Sequence, residues 1–431
     1  MNQGGIKSNS ELTLRPKRNG VTTFTRKIKG GLKRRVDLFI RKIGKKRTLS
    51  LDLAKDYTEF GKFLAHASIT NRHTDLSSPR LYDQGLELIR QPAIKAAVPD
   101  LFLLELNDVQ VIGSTNAVVR GGKVLHPELL HTESLHDSKA PDLYQFTDAS
   151  RRKLNFNTFT RLGGRGRVKV GIHLLKEHSF NFYHWLFECL PRLNYFISNL
   201  NKAGCHDSFT LLIDNDILPS GMEAMRRLIN FPHEIEIVRR GELVSCDKLF
   251  YVSPFWFSLD NSRHKVDADR DYAVDKYAVQ ITRDSFRDLA SHTAPTRKIY
   301  LPRIASQVRR IINADEVERL MRGNGFEIVH AHELTFAEQV ELFSSAKVLV
   351  GASGAAFSNM AFMQPGTKAV IFSPKQFEVF NYYIFQQLAD VAGVELAHLL
   401  AVPANKDDFF IHDNFYVNIA DLEKLLKQIM V

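Results

Sequence analysis

The chain of 431 residues has only three cysteines, Cys189, Cys205 and Cys246, and no Cys-x-x-Cys spacing. Neither a disulfide framework nor a thiolate zinc site is expected, and a reducing compartment is. No apolar run reaches about 18 residues, so no transmembrane helix is expected. The N-terminus also lacks the continuous apolar stretch of a signal peptide. Neither Gly-x-x-x-x-Gly-Lys nor Gly-x-Gly-x-x-Gly occurs, which removes the two common glycine-rich phosphate fingerprints, and no internal repeat is visible. What remains is the composition of an ordinary globular protein, too long for one hydrophobic core, so two domains are expected.

The net charge of +10 is unevenly placed. Residues 1–47 carry 15 Lys and Arg against Glu11 and Asp37, giving +13, while the remainder holds 43 basic and 46 acidic residues, or −3. Segment 1–35 has little to bury and is expected to be disordered. From Leu32 to Ile43 apolar residues recur at helical spacing among basic ones. Such a helix suits an anionic membrane surface, or it is a solvated leader docking on the body. Nucleic acid is a disfavoured partner, because the tail has no aromatic interleaving and the body no recognised motif.

Residues 50–95 read as helical and mixed, with a turn near Ser77-Ser78-Pro79. From Leu101 to Gly122 the pattern is a small antiparallel meander. Residues 127–165 read as a long loop or insertion. Alternation then begins: strands at Val168–Leu175, Phe209–Ile213, Ile235–Val238 and Leu249–Val252, and helices at Phe182–Leu200, Gly221–Asn230 and Asp269–Leu289. This repetition predicts a parallel sheet wrapped by helices. Ser291 to Thr296 reads as a linker. A second alternating set follows, with strands at Lys298–Leu301 and Phe326–Val329 and helices capped by Asn313 with Glu316 and by Thr335 with Glu338. Helices are also expected at Phe380–Ala392 and Ile419–Met430, the last packing back on the first domain. The expected boundaries are a tail at 1–47, a first α/β domain at 48–292, a second at 293–404 and a terminal helix at 405–431. Ligands would sit in the cleft between the domains.

Two segments carry chemistry. In Asn181-Phe182-Tyr183-His184-Trp185-Leu186-Phe187-Glu188, His184 and Glu188 fall on one helix face. A histidine with a carboxylate one turn away can be held in one tautomer and take a proton from a substrate hydroxyl. Alternatively, His184 makes a structural hydrogen bond at a helix start and Trp185 is core. A His/Glu zinc pair is disfavoured, as no third ligand falls at a telling spacing. In Lys347 to Phe372 a short strand enters a turn of small residues, Gly351 to Ala355, a helix follows, and Lys368 to Phe372 is a second strand. That βαβ unit either offers free N–H groups to an anion or is a closely packed crossover. Arg303, Arg309 and Arg310 follow a strand end and suit a diphosphate if they converge on the Ser353-Gly354 turn; otherwise they form a solvated basic loop. Asp214-Asn215-Asp216 after a strand is the competing site for Mg²⁺ or Mn²⁺.

The combination of Asn181 to Trp185 with Glu188 and Pro191-Arg192, Tyr300-Leu301-Pro302-Arg303, Phe336-Ala337-Glu338-Gln339, and Gly351 to Gly366 resembles glycosyltransferase family 61. Where that family often carries a histidine in the turn, this sequence has Ser353. The resemblance implies an α/β fold of GT-B type, two Rossmann-like domains facing a central cleft. It implies an inverting, metal-independent transferase with no cofactor beyond the nucleotide-sugar co-substrate, acting in capsule or other surface polysaccharide biosynthesis. The alternative is a non-catalytic nucleotide- or carbohydrate-binding component of a polysaccharide assembly complex. On the family reading His184 is the base and Glu188 its orienter or rival. Arg303, Arg309, Ser353, Gly354, Ala355 and Asn359 hold the donor diphosphate, while Asn181, Tyr183 and Trp185 support the acceptor or the structure. A nucleotide-sugar donor, a glycan or lipid-linked acceptor, and a cytoplasmic location peripheral to the inner membrane complete the expectations.

Overall fold

The computed structural model describes residues 45–67, 73–127, 129, 144–148, 153–161, 166–258, 272–303, 309–375, 380–404 and 414–430. The expected basic amphipathic helix at Leu32 to Ile43 lies outside them. Strand β1 (Lys45–Leu53) opens the described fold, so residues 45–47, assigned from sequence to the tail, begin a strand instead. It is followed by β2 (Gly61–Ala67), β3 (His73–Leu76), β4 (Arg80–Tyr82), β5 (Leu88–Arg90) and β6 (Ile94–Ala97). Next come β7 (Leu101–Ile112), β8 (Val118–Arg120), β9 (Lys123–Leu125), β10 (Tyr144–Asp148) and β11 (Lys153–Thr160).

Strand β12 (Val168–His173) comes next. The composite helix α1 runs through Phe182–His184, Trp185–Cys189 and Leu190–Ser198. Then follow β13 (Phe209–Asp214), α2 (Pro219–Leu228), β14 (His233–Val238), β15 (Leu243–Val252), β16 (Trp256–Ser258), β17 (Tyr272–Val274) and α3 (Tyr277–Ser285). The second set comprises β18 (Arg297–Leu301), α4 (Ala314–Gly323), β19 (Glu327–Ile328), α5 (Phe336–Ser344) and β20 (Ala346–Ala352). After a 3₁₀ segment (Ala355–Phe362) come β21 (Lys368–Pro374), α6 (Phe380–Ala392), β22 (Glu395–Pro403), β23 (Phe415–Tyr416) and α7 (Ile419–Ile429).

The class is mixed α/β. One sheet of 11 strands joins the parallel set β14-β13-β12-β15 to an extension through β7, β8 and β9 and on to β1, β11 and β10, antiparallel except where β1 meets β9. A second, of eight strands, has the order β19-β18-β20-β21-β22-β4-β5, with β23 on β22. Its first six strands are parallel. A small third sheet holds β16, β17, β6 and β3. One hydrophobic core runs from Ile172, Leu211 and Ile213 of the first sheet, through α1, to Ile299, Leu349 and Ile371 of the second. Among the described residues no helix is long and apolar enough to cross a membrane.

Several expectations need correction. The described parts of 50–95 are short strands with two 3₁₀ turns, not mixed helix, because their partners come from far along the chain: β2 pairs with β7, and β4 adds to β22 of the second sheet. The described parts of 127–165 include β10 and β11 rather than only loop, and β11 buries Leu154, Phe156 and Thr158 on one face. The helix expected from Asp269 is shorter: Tyr272–Val274 pairs with β16, and the Asp275 side chain accepts from Tyr277 N–H at 2.9 Å before α3. Asn313 stands at the N-cap of α4 as expected, but its side chain makes no capping bond. Its amide bonds the backbone of Val417 in both directions, at 2.8 and 3.1 Å, holding the approach to α7. Thr335 and Glu338 do form the expected capping box. The terminal helix α7 packs on α4 and also on Gln84–Leu86 of the N-terminal half, where Asp421 accepts from Gly85 N–H at 3.1 Å.

Candidate active site

Asn181 starts α1: its side-chain oxygen accepts from Tyr183 N–H at 2.9 Å, which fixes His184 in the first turn. Phe182, Leu186, Leu190 and Leu193 are buried beneath it. Trp185 is buried too, and its Nε1 donates to Gly221 O at 2.7 Å. A Cβ at position 221 would come within 2.7 Å of the indole, so only glycine lets α2 approach. Pro191 has no N–H to give the preceding turn, and Leu190 N–H reaches back to Trp185 O, making Trp185–Cys189 a π turn.

His184 Nδ1 is hydrogen-bonded to Glu188 Oε1. The other carboxylate oxygen, Oε2, lies 2.9 Å from Lys176 Nζ. The Lys176 ammonium also sits 5.9 Å from the centre of the Trp256 ring. His178 (5.8 Å between ring centroids) and Trp256 (5.8 Å) flank His184. The histidine keeps a 16 % exposed side chain while Glu188 has 3 %, so the imidazole is the member of the pair that meets solvent.

The charges beneath form a buried set of Lys176, Glu188, Arg192 and Asp214. Arg192 donates from Nε to Glu188 O at 2.9 Å and from Nη2 to Leu175 O at 3.3 Å. Asp214 accepts from Ser114 N–H, from Lys176 N–H at 2.9 Å and from the Ser179 hydroxyl at 2.8 Å. Desolvation outweighs these bonds and pushes its carboxyl up to about 6. Both oxygens being committed, Asp214 is a structural hub of the loop carrying Lys176. Asn215 instead donates to Asp216 at 2.8 Å.

The second constellation lies at the ends of β18 and β20. Arg303 donates from Nη1 to Ser353 O at 2.8 Å. Burial, then the neighbouring Arg309 charge, lower its guanidinium to about 10, and burial lowers that of Arg309 as well. Arg303 thus meets the Ser353-Gly354 turn. The turn itself differs from expectation, since no α-helix follows it. Gly354 is extended, and Ala355–Phe362 winds as a 3₁₀ segment closed by Phe357 N–H to Gly354 O at 3.0 Å. Ser353 N–H is taken by Phe372 O at 3.0 Å, whereas its buried hydroxyl has no partner among the described residues. Asn359 is wholly buried and donates to Gln339 Oε1 at 2.9 Å, which ties the segment to α5.

These two constellations meet. The first turn of α1 packs on the 3₁₀ segment, and Phe182, Phe357, Met360 and Phe362 share one core. Tyr183 receives a hydrogen bond from Gln387 of α6. Glu223 of α2 accepts from Phe336 N–H at 2.7 Å at the start of α5, and Thr282 of α3 donates to Leu186 O at 3.0 Å.

Residues 182–370 match the family model described as Glycosyltransferase 61. That match supports membership of glycosyltransferase family 61. No curated protein matches the chain. The family supports glycosyltransferase activity, with a sugar donor and a glycan acceptor in general terms. Its matched segment opens at the turn carrying His184, takes in Glu188, Arg303 and the Ser353-Gly354 turn, and ends within β21. Lys176, which sequence reasoning did not single out, lies just before it, and Gln387 lies after it.

Proposed function

We propose that the protein is an inverting glycosyltransferase of GT-B type that moves a sugar from a nucleotide-sugar to a glycan hydroxyl. Its two Rossmann-like domains would fall at 48–292 and 293–404, with residues 80–90 lent to the second sheet. The observation that carries the reading is the packing of the His184 turn directly on the 3₁₀ segment that follows the Arg303–Ser353 contact. A proton-accepting imidazole and an anion-binding turn, some 170 residues apart in sequence, would then serve one ligand.

In this mechanism His184 takes the proton of the acceptor hydroxyl. The oxygen attacks the anomeric carbon as the bond from that carbon to the diphosphate breaks, and the electron pair leaves with the nucleotide. Arg303, Arg309, the Ser353 hydroxyl and the amides of Gly354 and Ala355 stabilise the growing negative charge. An anion between the two desolvated guanidiniums would reverse the effect that lowers both. Asn359 serves this site by holding the 3₁₀ segment.

The transfer is expected to be metal-independent, since Asp214 of the competing Asp214-Asn215-Asp216 run spends both oxygens on the Lys176 loop. Activity should survive EDTA, and complete loss restored by Mn²⁺ would defeat this part. We place the protein in the cytoplasm, drawn to an anionic inner membrane by residues 1–44, and assign it to capsule or other surface polysaccharide synthesis. The test is a thermal-shift screen of nucleoside diphosphates and nucleotide-sugars. A ligand at about 100 times its Kd raises stability by about 2.7 kcal/mol. Stabilisation by none of them would overturn the reading.

A further inference from the structure

The imidazole of His184 acts as a base only if its second nitrogen, Nε2, is free of a proton, and something must enforce that. Glu188 Oε1 is bound to Nδ1. An ionised carboxylate can only accept, so it demands a proton on Nδ1 and leaves Nε2 with its lone pair. A protonated Glu188 would do the reverse: it would donate to Nδ1 and move the ring proton to Nε2, which could then accept nothing. The ionisation of Glu188 therefore decides the tautomer.

Glu188 is almost fully buried, a place where a lone carboxylate takes up a proton. Lys176 Nζ stands 2.9 Å from Oε2, the oxygen that His184 does not use. Lys176 is buried as well, with its ammonium over the face of Trp256 at 5.9 Å, and its own N–H is fixed to Asp214 Oδ2 at 2.9 Å. The other titratable groups around this pair are His178, Tyr183, Cys189, Arg192 and Asp214. Arg192 meets Glu188 at its backbone oxygen, not at its carboxylate.

We propose that Lys176 is a positioning residue for transfer: its ammonium keeps Glu188 ionised, and Glu188 thereby holds His184 in the Nδ1–H tautomer, with the ring's basic lone pair on Nε2. The inference rests on the reading of His184 as the base, and it assigns the step before proton transfer to a residue outside the family match. Once the acceptor proton reaches Nε2, the same carboxylate stabilises the imidazolium, so one ion pair serves both states.

The tautomer can be read without substrate. Full-length protein labelled with ¹⁵N-histidine is examined near neutral pH by long-range ¹H–¹⁵N correlation, and the His184 signals are those missing from His184→Gln. Wild type should show a neutral Nδ1–H ring. Lys176→Met should move it to Nε2–H, and Lys176→Arg should restore the wild-type pattern; Lys176→Gln replaces the methionine variant if that one does not fold. A wild-type ring found as Nε2–H or as imidazolium, or a Lys176→Met or Lys176→Gln ring unchanged from wild type, would overturn the proposal. Failure of the base assignment is separate: a His184→Ala enzyme that keeps its turnover would remove the base while leaving the tautomer measurement intact.

Discussion

Arg303 Nη1 donates to the carbonyl oxygen of Ser353 at 2.8 Å, so the end of β18 and the turn after β20 are held as one unit. With the guanidinium lowered to about 10, Arg303 still carries its charge at neutral pH. Removing it takes away a cation and loosens the turn. Arg303→Ala should weaken nucleoside-diphosphate binding by about 1.5–3 kcal/mol, the scale of a hydrogen bond to a charged group. Titration calorimetry with UDP and GDP reads the change, and affinity equal to wild type would place the donor elsewhere.

Gly354 has an extended backbone open to any residue, yet a Cβ there would sit 2.6 Å from Arg303 Nη1. The atom it meets is the tip of a flexible side chain, so Gly354→Ala should fold normally and displace the guanidinium. The expected signature is non-additivity: Gly354→Ala weakens nucleotide binding, and combining it with Arg303→Ala costs little more than either alone. Fully additive losses would show that the two positions act independently.

Asp214 gives a pH signature. Its carboxyl titrates at about 6 in the folded chain against 3.8 for the free group, so the native state holds a proton that the unfolded state has lost. Stability contributed by this group is therefore complete below about pH 4 and falls as pH rises to about 6, by on the order of 2–3 kcal/mol at about 1.4 kcal/mol per unit. The gap in denaturant stability between wild type and Asp214→Asn should narrow over that window. A gap that widens with rising pH would contradict the assignment.

The basic N-terminus should be separable from the fold, but not at residue 47. Lys45 to Asp52 pair residue by residue with Lys153 to Thr160, so the cut belongs before Lys45. Deleting residues 1–44 should release the protein from anionic vesicles while sparing stability, since basic residues near such a surface contribute about 1 kcal/mol each. Deletion of 1–53 should destabilise the sheet. Equal vesicle binding with and without residues 1–44 would remove the membrane role.

The second half was legible in the sequence because its strands are short apolar runs between capped helices: Thr335 with Glu338, and Phe380 to Ala392, fell where the pattern put them. The N-terminal half was not, because β2 and β4 are set by partners remote in sequence and not by local periodicity. The small-residue turn was legible as a turn, while its 3₁₀ continuation was not, since Ala355 to Phe362 buries its polar Ser358 and Asn359 along with its apolar residues and offers no helical stripe. His184 and Glu188 were found by their spacing. Lys176 was missed because its pairing with Glu188 exists only after Asp214 folds the loop between β12 and α1 back on the helix.

The most direct test is the rate of sugar transfer by His184→Ala, with the nucleotide-sugar identified by thermal shift and a labelled sugar to follow. If His184 takes the acceptor proton, turnover should fall by roughly 100- to 10,000-fold while nucleotide affinity stays near wild type. A loss of only a few fold, with affinity intact, would contradict the account and return the base to Glu188 or to another residue.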